Sequence, residues 1–380
     1  MFSNRSSIAC ALQSFRLDGR MIDYTTFVPK LYNWCLSLGF TPGKIMPSRA
    51  FCSDESQGFP TILLTKHFGA FPFNHGRVGG IVATDRHGPY ADHGDDLVLL
   101  QASHVGYDPR DGSFGTYRRQ RTESGACGAN CGGIGQVLTW YLEEYRYACT
   151  NIRVERSGGD HFVAIDNALL NDDRREGLFL HLGQFLAATT DAGMKPVRTL
   201  STARVFRANP ALATALPAGA GTGLQPIGNG LHADMFYFRR PIADDVEGDA
   251  QVERNLQPVM AGIVTAHHPM LAAAQANTQI EFDRAYRSLV HSPSYRGKNL
   301  LFVSGLNIDI TPEPGQPFPL TKFIPWAAYV QPRGATPYVL EQEALWEVLS
   351  AQSTENPDET DLEQAIAAMA HATEVRVKTD

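Results

Sequence analysis

Cysteine and histidine set beside glycine and other small residues mark the stretch of this chain that can do chemistry. Cys52 opens Cys52-Ser53-Asp54-Glu55, His104 lies in Ser103-His104-Val105-Gly106-Tyr107-Asp108, and Cys127 lies in Ala126-Cys127-Gly128-Ala129-Asn130-Cys131. Two thiols and one imidazole match the donor set of a zinc ion that keeps one coordination position open. Each residue also has an inert reading. An isolated histidine at a strand end is usually satisfied inside a core, and Cys127 with Cys131 also fits a redox disulfide or two ligands of a closed, structural zinc site. A local disulfide needs neither Cys52 nor His104, whereas a metal site recruits all of them.

The elements that must position these residues follow from pattern. Residues 97–102 (LVLLQA) are a continuous apolar run of strand length, as expected for a strand buried on both faces, and His104 comes at its end. Such an end opens on the crevice where α/β sheets hold their sites. Residues 125–135 (GACGANCGGIG) lead into a predicted helix over 136–148. The glycines let backbone approach a bound group, and the helix N-terminus lowers a nearby thiol's pKa. Ahead of Cys52, residues 25–38 have helical spacing and stop at Gly39, with Cys35 as a core thiol. Residues 60–64 read as a short buried strand, and 85–96, with His87 and His93, as a solvent-exposed polar loop. Further on, the pattern predicts strands within 152–155, 162–165, 198–209, 235–239, 300–310 and 326–330, and helices over 178–188, 280–290, 340–349 and 362–372. Residues 210–230, rich in Ala, Gly and Pro, read as a mobile loop, and the prolines of 311–319 make a connector. His267-His268-Pro269 has no companion cysteine and reads as a turn or cap.

Composition sets the bounds. A chain of 380 residues that is 43% hydrophobic can bury a large core, and the expectation is a single α/β domain over 1–350 followed by a polar C-terminal tail, 351–380. A net charge of −7 argues against a nucleic-acid partner. Six cysteines are too sparse for a disulfide scaffold, and no apolar run approaches the roughly 20 residues that span a bilayer. A cytoplasmic protein with reduced thiols is expected. The opening 1–17, with Arg and Ser and no acidic residue, leaves an organelle stroma or matrix as the alternative.

The segments CSDE at 52–55, ASHVGYD at 102–108 and SGACGA at 124–129, with 52 and then 23 positions between Cys52, His104 and Cys127, resemble the limiting-CO2-inducible protein B/C family, the θ-class relatives of β-carbonic anhydrases. The segment 301–308 is more faintly similar to it. The resemblance implies a β-carbonic-anhydrase-like central sheet flanked by helices, with zinc at strand ends held by Cys52, His104 and Cys127. Asp54 would stand beside the metal as the catalytic residue, and Cys131 would fall outside the ligand set. It implies reversible hydration of CO2 to bicarbonate by zinc-bound hydroxide, favoured at alkaline pH, in a homodimer. Where the β-class pattern pairs the aspartate with an arginine two residues on, this chain has Ser56. Arg49, Arg77 and Arg118 are the nearest substitutes in sequence, Phe71 and Phe73 are candidate pocket walls, and His67, His75 and His93 are candidate proton carriers. The alternatives are a non-catalytic zinc-binding relative with a structural, bicarbonate-binding or partner-binding role, and a zinc hydrolase of a small carbonyl compound.

Overall fold

The structure, a computed structural model, describes residues 15–118, 127–157, 159–187, 195–215, 223–243, 249–316 and 318–371. The described residues form two compact units, one within 15–131 and 278–371 and the other within 132–277. In chain order the first unit contributes β1 (Ile22–Asp23), β2 (Ile45–Ala50), β3 (Phe73–Asn74), β4 (Asp96–Asp108), β5 (Ser113–Phe114) and a ribbon of β6 (Thr116–Arg118) and β7 (Cys127–Ala129). The second unit contributes β8 (Ile152–Ser157), β9 (Asp160–Asp166), β10 (Gly177–Leu180), β11 (Arg198–Thr199), β12 (Ala203–Arg207), β13 (Gln225–Pro226) and β14 (Phe236–Arg239), in antiparallel sheets of order β11-β12-β9-β8-β13 and β10-β14. The chain then returns to the first unit with β15 (Asn299–Ile310), β16 (Leu320–Gln331) and β17 (Tyr338–Glu341).

The central sheet has the order β1-β16-β15-β4-β2-β3, with β17 on β16 and β5 on β4. Strands β15, β4, β2 and β3 are parallel, and β16 is antiparallel to β15. Parallel neighbours need crossovers, which cover both faces, so the middle strands are apolar on both sides. Alternation along β4 shows it: Val98, Leu100 and Ala102 join one core with Phe27, Leu31 and Leu301, while Leu97 and Leu99 join the other with Phe282, Leu289 and Phe302. Each buried Val, Leu or Phe among them contributes roughly 1.5–3 kcal/mol, so β4 and β15 are held from both faces. Helices Tyr24–Ser37, Gly58–Phe68 and Gln342–Ala351 supply the first core. The expected α/β fold, a central sheet flanked by helices, is the one that forms.

Local expectations differ in four places. Residues 60–64 lie in the helix Gly58–Phe68, not a strand. Pro60 sits in its first turn, where a missing N–H has no partner to lose, and Gly69 ends it at φ 67°. The apolar run 178–188 splits into β10, whose Leu178 and Phe179 pair with Phe238 and Tyr237, and one helical turn, Leu182–Phe185. The polar segment 85–96 holds the helix His87–Ala91 with His87 and Tyr90 buried. Of the predicted loop 210–230, Pro210–Ala215 is helical and Gln225–Pro226 pair with β8, while 216–222 lie outside the described residues, as do 119–126 and 372–380. Among the described residues no helix is long and apolar enough to cross a membrane.

Candidate metal centre

Cys52 lies two residues beyond β2, on chain leaving the carboxyl end of a parallel strand. A glycine loop presses on it. A Cβ at Gly76 would stand 2.0 Å from the Phe51 carbonyl oxygen, and one at Gly80 would stand 2.2 Å from that of Ala102. Only glycine lets this loop lie against the chain at Phe51 and against β4, and from there Gly79 N–H donates to Cys52 Sγ at 3.3 Å. Strand β4 pairs Gln101 with Ala50, the last residue of β2, so His104 projects past the end of β2. Gly106 has a similar role: a Cβ there would stand 2.7 Å from Thr116 O and from Asn130 Cβ. Its absence lets Asn130, and Cys131 after it, close over β4.

Cys131 is the one non-glycine residue with positive φ among the described residues, at 58°. That backbone costs about 1–3 kcal/mol and persists where the surroundings enforce it. Here Cys131 N–H donates to Asp54 Oδ2 at 3.3 Å, and the next residue opens the helix Gly132–Asn151. Cys52 Sγ, a ring nitrogen of His104 and Cys131 Sγ lie within 4.8 Å of one another, all buried. The resemblance expects Cys127 as the third member. Its backbone lies in β7, paired with Arg118, and its side chain lies outside the described residues.

His104 is fully buried. Its Nδ1 meets Asp309 Oδ2 at 2.9 Å, while Nε2 has no hydrogen-bond partner among the described residues. The two sulfurs differ. A hydrogen bond from Cys131, together with the His104 ring, holds the Cys52 thiol far below its usual range. The same bond and burial push the Cys131 thiol up. Burial opposes charge on His104, but the Cys131 sulfur and the Asp309 carboxylate outweigh it and raise its pKa. This pocket holds protons that a cation would displace. Two sulfurs and one ring nitrogen without a hydrogen-bond partner among the described residues, all three groups buried, fit Zn2+, and the site is a candidate metal centre on that ground.

Asp54 caps the turn Glu55–Gln57, with Oδ1 accepting Ser56 N–H at 3.2 Å. Burial, followed by a hydrogen bond shared with the Glu55 carboxyl, pushes its pKa up to about 6. Ser56, at the position of the β-class arginine, turns the other way: its hydroxyl donates to Asp309 Oδ2 at 2.8 Å. Arg77 pairs with Asp85 at 2.9 Å, and Arg118 stands 3.8 Å from Asp108. Phe71 is 77% exposed. Of the candidate proton carriers, His75 is fully buried on Ser48, His67 is buried beside Asn356, and His93 is exposed. Asp309 has no assigned role in sequence. Its signal was there, since Ser304, Asn307 and Asp309 are polar residues inside a strand buried on both faces, and buried polar groups require partners.

Comparison with known proteins adds the family context. No curated protein matches the sequence. The chain is similar in fold to two crystal structures of PtLCIB4, described as a homolog of the limiting CO2-inducible protein LCIB. The first, a point mutant, has 14% identity and a TM-score of 0.51 over 85% of this chain and 93% of that one. The second has 13% identity and a TM-score of 0.50 over 89% and 98%. Residues 21–156, which carry Cys52, His104, Cys127 and Cys131, match the model of the family described as limiting CO2-inducible proteins B/C beta carbonic anhydrases, the family that the three sequence motifs resemble.

Proposed function

We propose that this protein is a zinc-dependent carbonic anhydrase that interconverts CO2 and bicarbonate. The observation that carries the reading is the convergence of Cys52, His104 and Cys131 inside the segment that matches a carbonic-anhydrase-like family. Cys52, His104 and Cys131 would hold the zinc ion, which would supply the Lewis acidity that activates water toward a carbon electrophile. The protein's own groups do the rest. Gly79 N–H supports the sulfur of Cys52, and Asp54, fixed by the amides of Ser56 and Cys131, offers a carboxylate that can take up a proton near neutrality. We assign Cys131, rather than Cys127, as the third ligand, and the homodimer expected from the resemblance is part of the proposal.

The test is stopped-flow CO2 hydration at about pH 8.5 on protein carrying about one zinc per chain, since two thiolates leave the metal less electron-withdrawing than three imidazoles. Acceleration over buffer supports the reading, and a rate equal to buffer refutes it. A second reading, a zinc-binding relative without catalysis, is favoured by one observation: Ser56 replaces the arginine, and its hydroxyl serves Asp309 instead of Asp54.

A further inference from the structure

Four donors converge on Asp309. Its Oδ2 accepts from Ser56 Oγ at 2.8 Å, from Gln57 Nε2 at 2.9 Å and from the His104 ring at 2.9 Å, and its Oδ1 accepts from Thr321 Oγ1 at 2.9 Å. The direction of each bond is set by the groups around it. Asn130 Nδ2 and Gln57 Nε2 both donate to Ser56 Oγ, so the hydroxyl proton has Asp309 as its acceptor. Tyr24 donates to Asn307 Oδ1 at 2.8 Å, Asn307 Nδ2 donates to Gln57 Oε1 at 2.7 Å, and Gln57 is thereby turned with Nε2 toward Asp309. A carboxylate that already receives a hydroxyl and an amide proton meets the imidazole as an acceptor too. His104 therefore carries a proton on Nδ1, whatever the state of Nε2.

We propose that Asp309 is a positioning residue for the metal: it fixes the Nδ1–H form and the plane of the His104 ring, so that Nε2 is the atom presented to the ion. The assignment rests on reading Cys52, His104 and Cys131 as zinc ligands. Its geometry comes from two paired strands that are buried almost throughout. Strands β4 and β15 are parallel neighbours in which Asn307 lies opposite His104 and Asp309 opposite Gly106, and Asp309 is fully buried with His104 as its ion-pair partner among the described residues. A carboxylate behind a ligating imidazole raises the ring's basicity, and losing it lowers metal affinity about 10–100-fold. A purely structural Asp309, there to satisfy Ser56 and Thr321, would leave the ring's tautomer and the metal affinity unchanged.

Two measurements decide between these roles. In zinc-loaded protein with nitrogen-15-labelled histidine, NMR should show His104 protonated at Nδ1 and metal-bound at Nε2. Chelator competition should show zinc affinity reduced about 10–100-fold in Asp309→Asn and unchanged in Thr321→Val, which loses only the bond to Oδ1. Metal on Nδ1, or parental affinity in Asp309→Asn, overturns the proposal. If Asp309→Asn does not fold, the ring measurement on the unaltered protein decides alone. Unaltered protein that takes up no zinc refutes the ligand reading and this assignment together, whereas equal uptake by the parent and Asp309→Asn refutes this assignment only.

Discussion

Acid should destabilise this protein through two histidines that lie outside the candidate metal centre. His75 and His87 are buried, their rings are 5.5 Å apart, and each has its Nε2 without a hydrogen-bond partner among the described residues. Burial, then the neighbouring His87 and Arg86, pushes His75 from 6.5 down to about 3, and burial, then Arg284, pushes His87 down to about 4. The folded state keeps both rings neutral while the unfolded chain protonates them below 6.5, so their stability is present above that pH and declines as pH falls toward about 4 and then 3. At pH 5, about 1.5 units below the unfolded value, each ring removes roughly 2 kcal/mol and the pair roughly 4. That is a large part of a typical stability of about 5–15 kcal/mol. The variant to compare is His75→Asn. Its Nδ2 can replace the Nδ1 donor to Ser48, whose own proton goes to the Phe73 carbonyl. Urea unfolding from about pH 7.5 to 5 should show the variant losing less stability than the parent, by up to about 1.4 kcal/mol per pH unit. Asp54 and His104 titrate with the opposite sign in both proteins, so the difference isolates His75. Parallel profiles for parent and variant would refute the argument.

Other outcomes follow from the site and its supports. Cys131→Ser should reduce bound zinc from about one per chain to near none, while Cys127→Ser keeps it; elemental analysis of purified protein checks both, and the reverse pattern returns the ligand role to Cys127. Gly106→Ala should cost roughly 1–3 kcal/mol, because the added carbon meets Thr116 O and Asn130 Cβ at 2.7 Å, and it should weaken zinc retention by displacing Cys131. Calorimetry and chelator titration measure these two effects. Chelation of bound zinc should lower the melting temperature, since a ligand held only by the folded state stabilises it. Light scattering should give twice the chain mass if the homodimer reading holds.

Legibility in sequence tracked how local the cause was. The run LVLLQA reads as a strand because both its faces are covered, and β4 contains it; the helical spacing of 25–38 becomes the helix Tyr24–Ser37. Cys52 and His104 stood out because small residues and glycine flank them, and the fold brings the two together. Asp309 could not be tied to His104, because the two meet only when strands 205 positions apart pair in a particular register. Cys131 was visible as a thiol, but its place in the cluster depends on a left-handed backbone that Asp54 and the following helix enforce. Residues 60–64 misled for a simpler reason: a short apolar run has no period, and Pro60 is as acceptable in a helix's first turn as at a strand's edge.

The order in which the polypeptide emerges during synthesis constrains when this pocket can exist. Cys52, Ser56, His104 and Cys131 are made early, but Asp309 and Thr321 follow the whole of Gly132–Asn277. Until Thr321 has cleared the ribosome, His104 has no carboxylate to orient it and β4 lacks β15 alongside. A chain truncated before that point carries the thiols of the candidate centre without the strand that holds Asp309 behind His104, so the complete cluster forms only after β15 and β16 have been made.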